Sequence, residues 1–423
     1  MYTKLIQEKK LPCGARVLAT HFPAHGLVSF VGSVLGGTRS VSSTELAKIH
    51  SAMLLEGTQR RSKQDIQEFL DSVGANLSFS VSSDRLIFSG HVLEKHFDKL
   101  LVLIAEALTE PIFPAKELVV LKKREEGALS LEARDTRTQA SIALSRILFP
   151  VGHPNYSETT KELKNALKEI TRRTLQDYHT KTIDRSSLVL SVAGDLKHAD
   201  IFSLVERRFK KIPQSGIVLP PFEPAIPATK AQTVMLSIPH KSSIDYMVGI
   251  ATGITDDHAD YAPLLLGVRI LGNAGGFTGR LMSTVREEEG LTYGVYAYLS
   301  GFMAQADGCC AVWGTFAPEL FEKGKAGVIR EIKKIVENGV TSDEAKKHRE
   351  LYDASFRVRL SNSGALARAA HDVIASGKSI SHLDTFPKKM LSISAPEINK
   401  ALKKYLTPDH LSSSASGPVV GLK

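Results

Sequence analysis

The sequence is poor in the residues that build covalent or metal-linked frameworks. Its 423 residues include only three cysteines, Cys13, Cys309 and Cys310. An odd number with two adjacent residues does not indicate a disulfide framework, and nothing in it requires an oxidising compartment. Cys309 and Cys310 lie in a segment with the pattern of a strand, where neighbouring side chains point to opposite faces, so they cannot bind one ion together.

Long apolar runs are also absent. No segment approaches the length of a membrane span, and the N-terminal residues contain neither the apolar segment nor the small-residue cleavage site of a signal peptide. We therefore expect no membrane span and a cytoplasmic location by default, or a periplasmic location if a leader has been removed.

The chain has an excess of basic residues, with 54 Lys and Arg against 45 Asp and Glu and a net charge of +9. These residues form short clusters, such as 122–124 and 346–349, that alternate with glutamates. This pattern is typical of solvated helix faces, so we expect no nucleic-acid partner. A net basic surface favours an acidic partner subunit or acidic peptides.

The distribution of proline divides the chain into two halves. Five of the 18 prolines lie between Pro213 and Pro227. Proline fixes φ and lacks a backbone donor, so this segment disfavours helix and central strand. We predict a first module over residues 1–212, a linker over 213–230 and a second module over 231–423.

The two modules follow one plan. Ile170–Gly194 and Ile393–Gly417 each begin with a Ser or Thr helix-start signal, continue as an amphipathic helix and end as a strand closed by glycine. Alternating strands such as Leu77–Val81 and Leu86–Gly90 follow each other directly, and a helical segment comes next. We therefore predict an α+β fold of two homologous modules, each a mostly antiparallel sheet packed with helices.

The segment from Gly36 to Thr58 reads GGTRSVSSTELAKIHSAMLLEGT, in which a polar helix start precedes an apolar stripe. It resembles the zinc-binding segment of the pitrilysin and mitochondrial-processing-peptidase family, the inverzincins, whose helix carries His-x-x-Glu-His. In that family the two histidines bind one zinc ion from one helix face, and the glutamate serves as general base. A glutamate from a later helix is the third ligand.

This sequence departs from the family pattern at the zinc positions. The matching residues are Lys48, Ser51 and Ala52, none of which is an imidazole or a carboxylate, while Glu132 matches the third ligand. We therefore expect no cofactor in this chain, and an ion pair between Lys48 and Glu132 that neutralises the remaining carboxylate. His50 points to a different helix face, so we interpret it as structural or solvent-facing. A chain that binds zinc through an improvised site is the less favoured alternative.

The resemblance is strongest in the second module, where Leu271 to Ser300 read LGNAGGFTGRLMSTVREEEGLTYGVYAYLS. In this family the module opposite the zinc carries an Arg and a Tyr that bind the substrate backbone and stabilise the tetrahedral intermediate. Arg286 and Tyr293 have the family spacing. The resemblance implies that these two residues act in trans and that the glycine-rich turn, Gly275, Gly276 and Phe277, contacts substrate. The alternative is that Arg286 pairs with the glutamates of its own helix and that Tyr293 lies in the core.

The resemblance covers nearly the whole chain and implies a function. It indicates a non-hydrolytic, substrate-binding subunit of a heterodimeric zinc peptidase, inactive alone, whose zinc-bearing sister subunit acts on peptides or unfolded chains. The strand before Gly36, about Leu27 to Leu35, is expected to be the exposed edge to which a peptide adds. The alternative is a structural subunit of a larger complex, like the core subunits of the cytochrome bc1 complex, with no peptidase role.

Overall fold

The computed structural model describes residues 1–12, 14–41, 43–272, 278–303 and 305–418. Contacts divide these residues into two compact units. Unit 1 comprises Met1–Leu129, Thr160–Pro221 and Phe356–Phe386, and unit 2 comprises Ser130–Thr159, Phe222–Ser355 and the residues from Pro387 onward.

The described residues of the first half of the chain form six strands and eight α-helices. The strands are β1 (Ile6–Lys10), β2 (Arg16–His21), β3 (Leu27–Leu35), β4 (Asn76–Val81), β5 (Arg85–Leu93) and β6 (Val189–Gly194). The helices are α1 (Thr44–Met53), α2 (Lys63–Ser72), α3 (Glu94–Thr109), α4 (Ala115–Glu132), α5 (Thr136–Leu148), α6 (Thr160–Glu169), α7 (Arg172–Thr182) and α8 (His198–Phe209).

The second half supplies five strands and six α-helices among the described residues. The strands are β7 (Thr233–Ser237), β8 (Ile244–Ala251), β9 (Gly294–Ser300), β10 (Cys309–Phe316) and β11 (Ser412–Gly417). The helices are α9 (Tyr261–Gly272), α10 (Phe321–Asn338), α11 (Ser342–Arg359), α12 (Ser363–Ala375), α13 (His382–Ser392) and α14 (Ala395–Tyr405).

Each unit contains one sheet among the described residues, and the five strands from β2 to β4 in the order of the first sheet have the same topology as the five strands of the second. The order is β1-β2-β6-β3-β5-β4 in unit 1 and β7-β11-β8-β10-β9 in unit 2. Only the β2–β6 and β7–β11 pairs are parallel among the described strands, and the other pairs are antiparallel. The predicted α+β fold of two homologous, mostly antiparallel modules is confirmed.

The repeated segments that motivated this prediction fold alike. Thr171 caps α7 and Ser394 caps α14. In both capping boxes the side chain three positions later accepts a hydrogen bond from the backbone N–H of the cap residue. Each helix is followed by a 3-10 turn and then by a fully buried strand, β6 or β11. The same local signals therefore specify the same helix–turn–strand element twice.

Two helices pack against the sheet that the other half of the sequence forms. Helix α5 packs on β8 and β11 in unit 2, where Ser414 Oγ donates to the carbonyl of Ala140 at 2.6 Å. Helix α12 packs on β3 and β6 in unit 1, where Ser29 and Ser363 share a hydrogen bond of 2.9 Å. The contact-based units therefore differ from the predicted modules, 1–212 and 231–423, by these exchanged segments, 130–159 and 356–386.

The segment between Phe209 and Thr233 contains no helix or strand. It includes the predicted linker, 213–230. Two hydrogen bonds hold the part of it that lies in unit 1: the Arg39 guanidinium donates to the carbonyl of Pro220 at 2.6 Å, and Arg185 N donates to the carbonyl of Pro213 at 2.8 Å. Within the described ranges, none of the helices combines the length and the apolarity that crossing a bilayer requires.

Candidate functional site

Helix α1 occupies the place of the zinc helix in the family pattern. Ser43 caps it and accepts a hydrogen bond from the backbone N–H of Glu45. Its own residues Ala47, Ile49 and Met53 are buried. The Lys48 ammonium lies 2.8 Å from Glu45 Oε1, and the Glu45 side chain is 0% exposed. The helix therefore has a paired ammonium where the family has its first imidazole.

The residues of this helix do not fit a zinc ion. An ammonium has no lone pair to offer a metal, and alanine at position 52 has no donor atom. The hydroxyl of Ser51 donates to the Lys48 carbonyl at 2.8 Å, so it serves the helix backbone. Among the residues that the structure describes, no group of three His, Cys, Asp or Glu side chains is placed to hold a metal ion.

Glu132, the residue that matches the third zinc ligand, is the last residue of α4 and is grouped with unit 2. The ion pair that the structure describes for Lys48 is with Glu45, three residues earlier on the same helix. The predicted pairing of Lys48 with Glu132 stays a prediction. The spacing of Glu45 and Lys48 is a common one for helix ion pairs, so the sequence contained the signal for this partner.

His50 is buried against α7, as the structural interpretation expects. Its Nε2 lies 3.0 Å from His179 Nδ1, and its ring packs edge-on against Tyr178. Burial lowers the pKa of His50 well below its ordinary value, and burial also lowers the pKa of His179 to about 4. Both rings are therefore neutral at physiological pH. The structural interpretation of His50 rests on its burial and on its contacts with α7.

Arg286 lies in a π-helical segment, Met282–Glu288, that is anchored by the buried side chains of Met282 and Val285. A wide π-helical turn is closed by the hydrogen bond from Glu289 N to Thr284 O at 3.0 Å, and the bond from Leu291 N to Val285 O at 3.0 Å closes the C-terminal end of the segment. π-helical turns are rare and are frequent at functional sites. The Arg286 side chain is half-buried at the surface of this segment.

Tyr293 follows this segment and immediately precedes β9. Its side chain is 94% exposed, so the alternative that Tyr293 lies in the core is wrong. The neighbouring Thr292 is buried, and its hydroxyl donates to the carbonyl of Thr315 on β10 and accepts from Gly294 N at 3.1 Å. Because these hydrogen bonds of Thr292 hold the backbone in place, the neighbouring Tyr293 side chain is held in an exposed position.

The other alternative concerned the glutamates next to Arg286. Glu289 forms an ion pair with Arg330 of α10, and this contact leaves open the alternative that Arg286 pairs with Glu287 or Glu288. The segment carries a guanidinium and a phenol close together in sequence, both of them hydrogen-bond donors. Such a pair suits a carbonyl oxygen that becomes negatively charged.

The predicted glycine-rich contact, Gly275, Gly276 and Phe277, lies outside the described residues. Its role in binding substrate stays a prediction.

The predicted peptide edge is wrong. Strand β3 pairs with β5 on one side and with β6 on the other, so it lies inside the sheet and has no free edge. The strand that packs beside α1 is β4, which within the described ranges pairs with β5 alone. The signal was in the patterns: β3 is a continuous run of apolar and small residues, as in a central strand, whereas β4 alternates.

Two models of one protein family match the chain. The model described as the peptidase M16 inactive domain matches residues 169–352, and the model described as insulinase, peptidase family M16, matches residues 44–144. The chain belongs to the M16 family of peptidases, which is the pitrilysin family that the sequence resembles.

Relatives of the chain include a protein named as a zinc protease and a protein named as a non-peptidase homolog. It is 23% identical over 432 residues to an uncharacterized zinc protease of Streptomyces coelicolor, covering 98% of this chain and 90% of that protein. It is 23% identical over 361 residues to the non-peptidase homolog YmxG of Helicobacter pylori, covering 85% of this chain and 81% of that protein. The crystal structure of a peptidase M16 inactive domain from Pseudomonas fluorescens matches with a TM-score of 0.89 at 24% identity, over 99% of both chains, which supports the fold.

The names of the relatives include both zinc proteases and a non-peptidase homolog. The residues of α1 show which of the two groups this chain resembles. Lys48, Ser51 and Ala52 replace the two histidines and the glutamate that hydrolysis requires. The chain is therefore an inactive-type member of the M16 family.

Proposed function

We propose that this chain is the non-hydrolytic, substrate-binding subunit of a heterodimeric zinc metallopeptidase that acts on peptides or unfolded chains. In this proposal Arg286 and Tyr293 bind the substrate backbone and donate hydrogen bonds to the oxyanion that forms during cleavage. The zinc and the general base belong to a sister subunit of the same family, since α1 of this chain offers neither.

The observation that carries the proposal is the exposure of Tyr293. A tyrosine that is 94% exposed contributes little to packing, yet the backbone on both sides of it is fixed by the buried Thr292 and the first residues of β9. Fixed donors are what oxyanion stabilisation requires, because they need no reorganisation when charge develops. Arg286, on the preceding π-helical segment, adds the positive charge.

The test uses the complex of this chain with the sister subunit that carries His-x-x-Glu-His, and a quenched fluorescent peptide as substrate. Arg286→Ala should lower kcat/KM by about a hundredfold or more, the range for loss of one oxyanion donor. Association of the two chains and binding of an uncleaved peptide should change far less. Arg173→Ala is the matched control, because Arg173 is a highly exposed arginine in unit 1.

The rival function is that of a structural subunit without a peptidase role. In that case Arg286→Ala and Arg173→Ala would give the same rate, and removal of the whole chain would leave the sister subunit's turnover unchanged. Either result would overturn the proposal.

A further inference from the structure

Unit 2 contains a partly enclosed cavity of about 150 Å³ between α5 and the face of its sheet. The sheet contributes Met247, Tyr298 and Cys309 to the lining, and α5 contributes Leu144 and Leu148. Ser141 and Ser300 also line the cavity, and both are exposed, so the opening lies between the surface of α5 and the end of β9. The floor is thus apolar and the mouth is polar.

None of the described residues that line the cavity has a charged side chain. Burial raises the pKa of Tyr298 to about 12 and that of Cys309 to about 12, so the phenol and the thiol both remain protonated. The Tyr298 hydroxyl has the Met247 sulfur as its acceptor, at 3.5 Å. Because a thioether is a weak acceptor, the hydroxyl remains a donor for a better one.

The mouth is fixed before any ligand arrives. Asn155 donates to the carbonyls of Gly301 and Asp307 at 3.0 and 2.9 Å, and Ser157 N donates to Ser145 Oγ at 3.2 Å. Gly301 has φ +77°, and a Cβ there would lie 2.2 Å from Asn155 Nδ2, so glycine is required for this close approach. Pre-formed concave sites that combine apolar side chains with placed polar groups are typical of small-molecule sites.

We propose that this cavity binds a compact, uncharged group about the size of a benzene ring that carries a hydrogen-bond acceptor. A cavity of about 150 Å³ whose floor is formed by the apolar side chains of Leu144, Leu148 and Met247 is large enough for such a ring. The absence of charge in the lining disfavours an ionised ligand, which would lose its hydration without compensation. The proposal does not depend on the peptidase role, since no residue of the cavity belongs to the Arg286 turn.

Such a group has two sources: a peptide, through an apolar side chain and a neighbouring backbone carbonyl, and a free small molecule. The probes are acetophenone, ethylbenzene and N-acetylphenylalaninamide, and their dissociation constants are measured on the full chain by ligand-observed NMR. Acetophenone and ethylbenzene have similar shapes, but only acetophenone has a carbonyl acceptor. We expect both to bind saturably, with acetophenone the tighter.

Two variants identify the site. Ser141→Phe places a ring at the mouth and should weaken both probes by at least about tenfold, as steric filling of a pocket does, whereas Ser141→Ala should not. Tyr298→Phe should weaken acetophenone by roughly two- to tenfold, the worth of one hydrogen bond, and leave ethylbenzene unchanged. If Ser141→Phe does not fold, Ser300→Phe closes the mouth from β9.

The outcomes separate the sources. Competition between N-acetylphenylalaninamide and acetophenone indicates a peptide side chain as ligand, and acetophenone binding without competition indicates a free small molecule. Absence of saturable binding of both acetophenone and ethylbenzene, or equal binding in wild type and in both mouth-closing variants, would overturn the proposal. Trp313, the chain's single tryptophan, stacks on Tyr296 at 5.5 Å, and its unchanged emission verifies the fold of each variant.

Discussion

His50, which is buried, and His179, which is half-buried, form a direct hydrogen bond between two uncharged imidazole rings, with 3.0 Å between Nε2 and Nδ1. His179 also bonds the backbone of Leu108, an interaction that favours a ring N–H on its other side. His179 Nδ1 is then the acceptor and His50 Nε2 the donor. The pair joins α1 to α7, so its protonation state affects how the two helices pack.

This pair predicts a loss of stability in acid. The pKa of His179 falls from 6.5 in the unfolded chain to about 4 in the folded one, and that of His50 is also lowered. The unfolded chain therefore binds more protons between about pH 6.5 and 4, and the free energy of unfolding decreases as pH falls through this window. His179 alone contributes a loss of up to about 3 kcal/mol. Urea unfolding at pH 7.5, 6.0 and 5.0 measures it.

The matched variant replaces both rings by neutral amides. In His50→Gln the amide nitrogen takes the place of Nε2, and in His179→Asn the amide oxygen takes the place of Nδ1. The double variant should lose less stability than the wild type between pH 7.5 and 5.0. Parallel pH curves would show that other histidines cause the acid effect, and His348, whose pKa burial lowers to about 4, would be the next candidate.

The sequence predicted the fold well because its signals are local and occur twice. The capping residues Thr171 and Ser394 each open an amphipathic helix that leads to a buried strand, and the structure contains both. The exchange of α5 and α12 between the sheets was not predictable in this way. The pattern of an amphipathic helix shows that one of its faces is buried, but it does not show which sheet covers that face.

In the candidate site, too, the local features were predictable from the sequence and the long-range contacts were not. The spacing of Arg286 and Tyr293 was readable, but their shared turn depends on Thr292, whose hydroxyl bonds a strand that follows later in the chain. No local pattern identifies that partner. The exposure of Tyr293 was likewise undecided by sequence, since a tyrosine before an alternating strand suits both the core and the surface.

The composition of α1 predicts that the purified chain binds no zinc. After dialysis against trace zinc, metal analysis should find less than about 0.1 zinc per chain, because the lone glutamate and the ammonium of Lys48 do not replace three ligands. The triple variant Lys48→His, Ser51→Glu and Ala52→His restores the family motif and should retain more zinc than the wild type. A stoichiometry near one in the wild type would contradict the assignment of the chain as inactive and would direct the search to Glu132 and His50.

The exposure of Tyr293 predicts that its loss affects turnover and not stability. Tyr293→Phe should change the free energy of unfolding by less than about 0.5 kcal/mol, as exposed substitutions do. Tyr178→Phe is the contrast, because its buried hydroxyl donates to the carbonyl of Gly36 and its loss should cost about 1 to 3 kcal/mol. Denaturant unfolding measures both, and equal losses would place Tyr293 in a packing role. In the complex with the sister subunit, Tyr293→Phe should lower kcat more than it raises KM.

The placement of α5 on the second sheet predicts that one hydroxyl stabilises this exchanged helix. Thr136 Oγ1 donates to Asp245 Oδ2 at 2.5 Å, and Trp313 Nε1 donates to the other oxygen of this buried carboxylate at 2.7 Å. Thr136→Val keeps the shape but leaves one carboxylate oxygen unsatisfied, which should lower the free energy of unfolding by about 1 to 3 kcal/mol.

Tryptophan emission follows the same unfolding transition, since Trp313 is the only indole in the chain and bonds the affected carboxylate. Thr138→Val is the control, because Thr138 lies on the same helix turn and its hydroxyl and backbone N–H both bond the exposed cap residue Asp135 rather than a buried carboxylate. A smaller effect of Thr136→Val than of Thr138→Val would mean that apolar contacts alone hold α5 on this sheet.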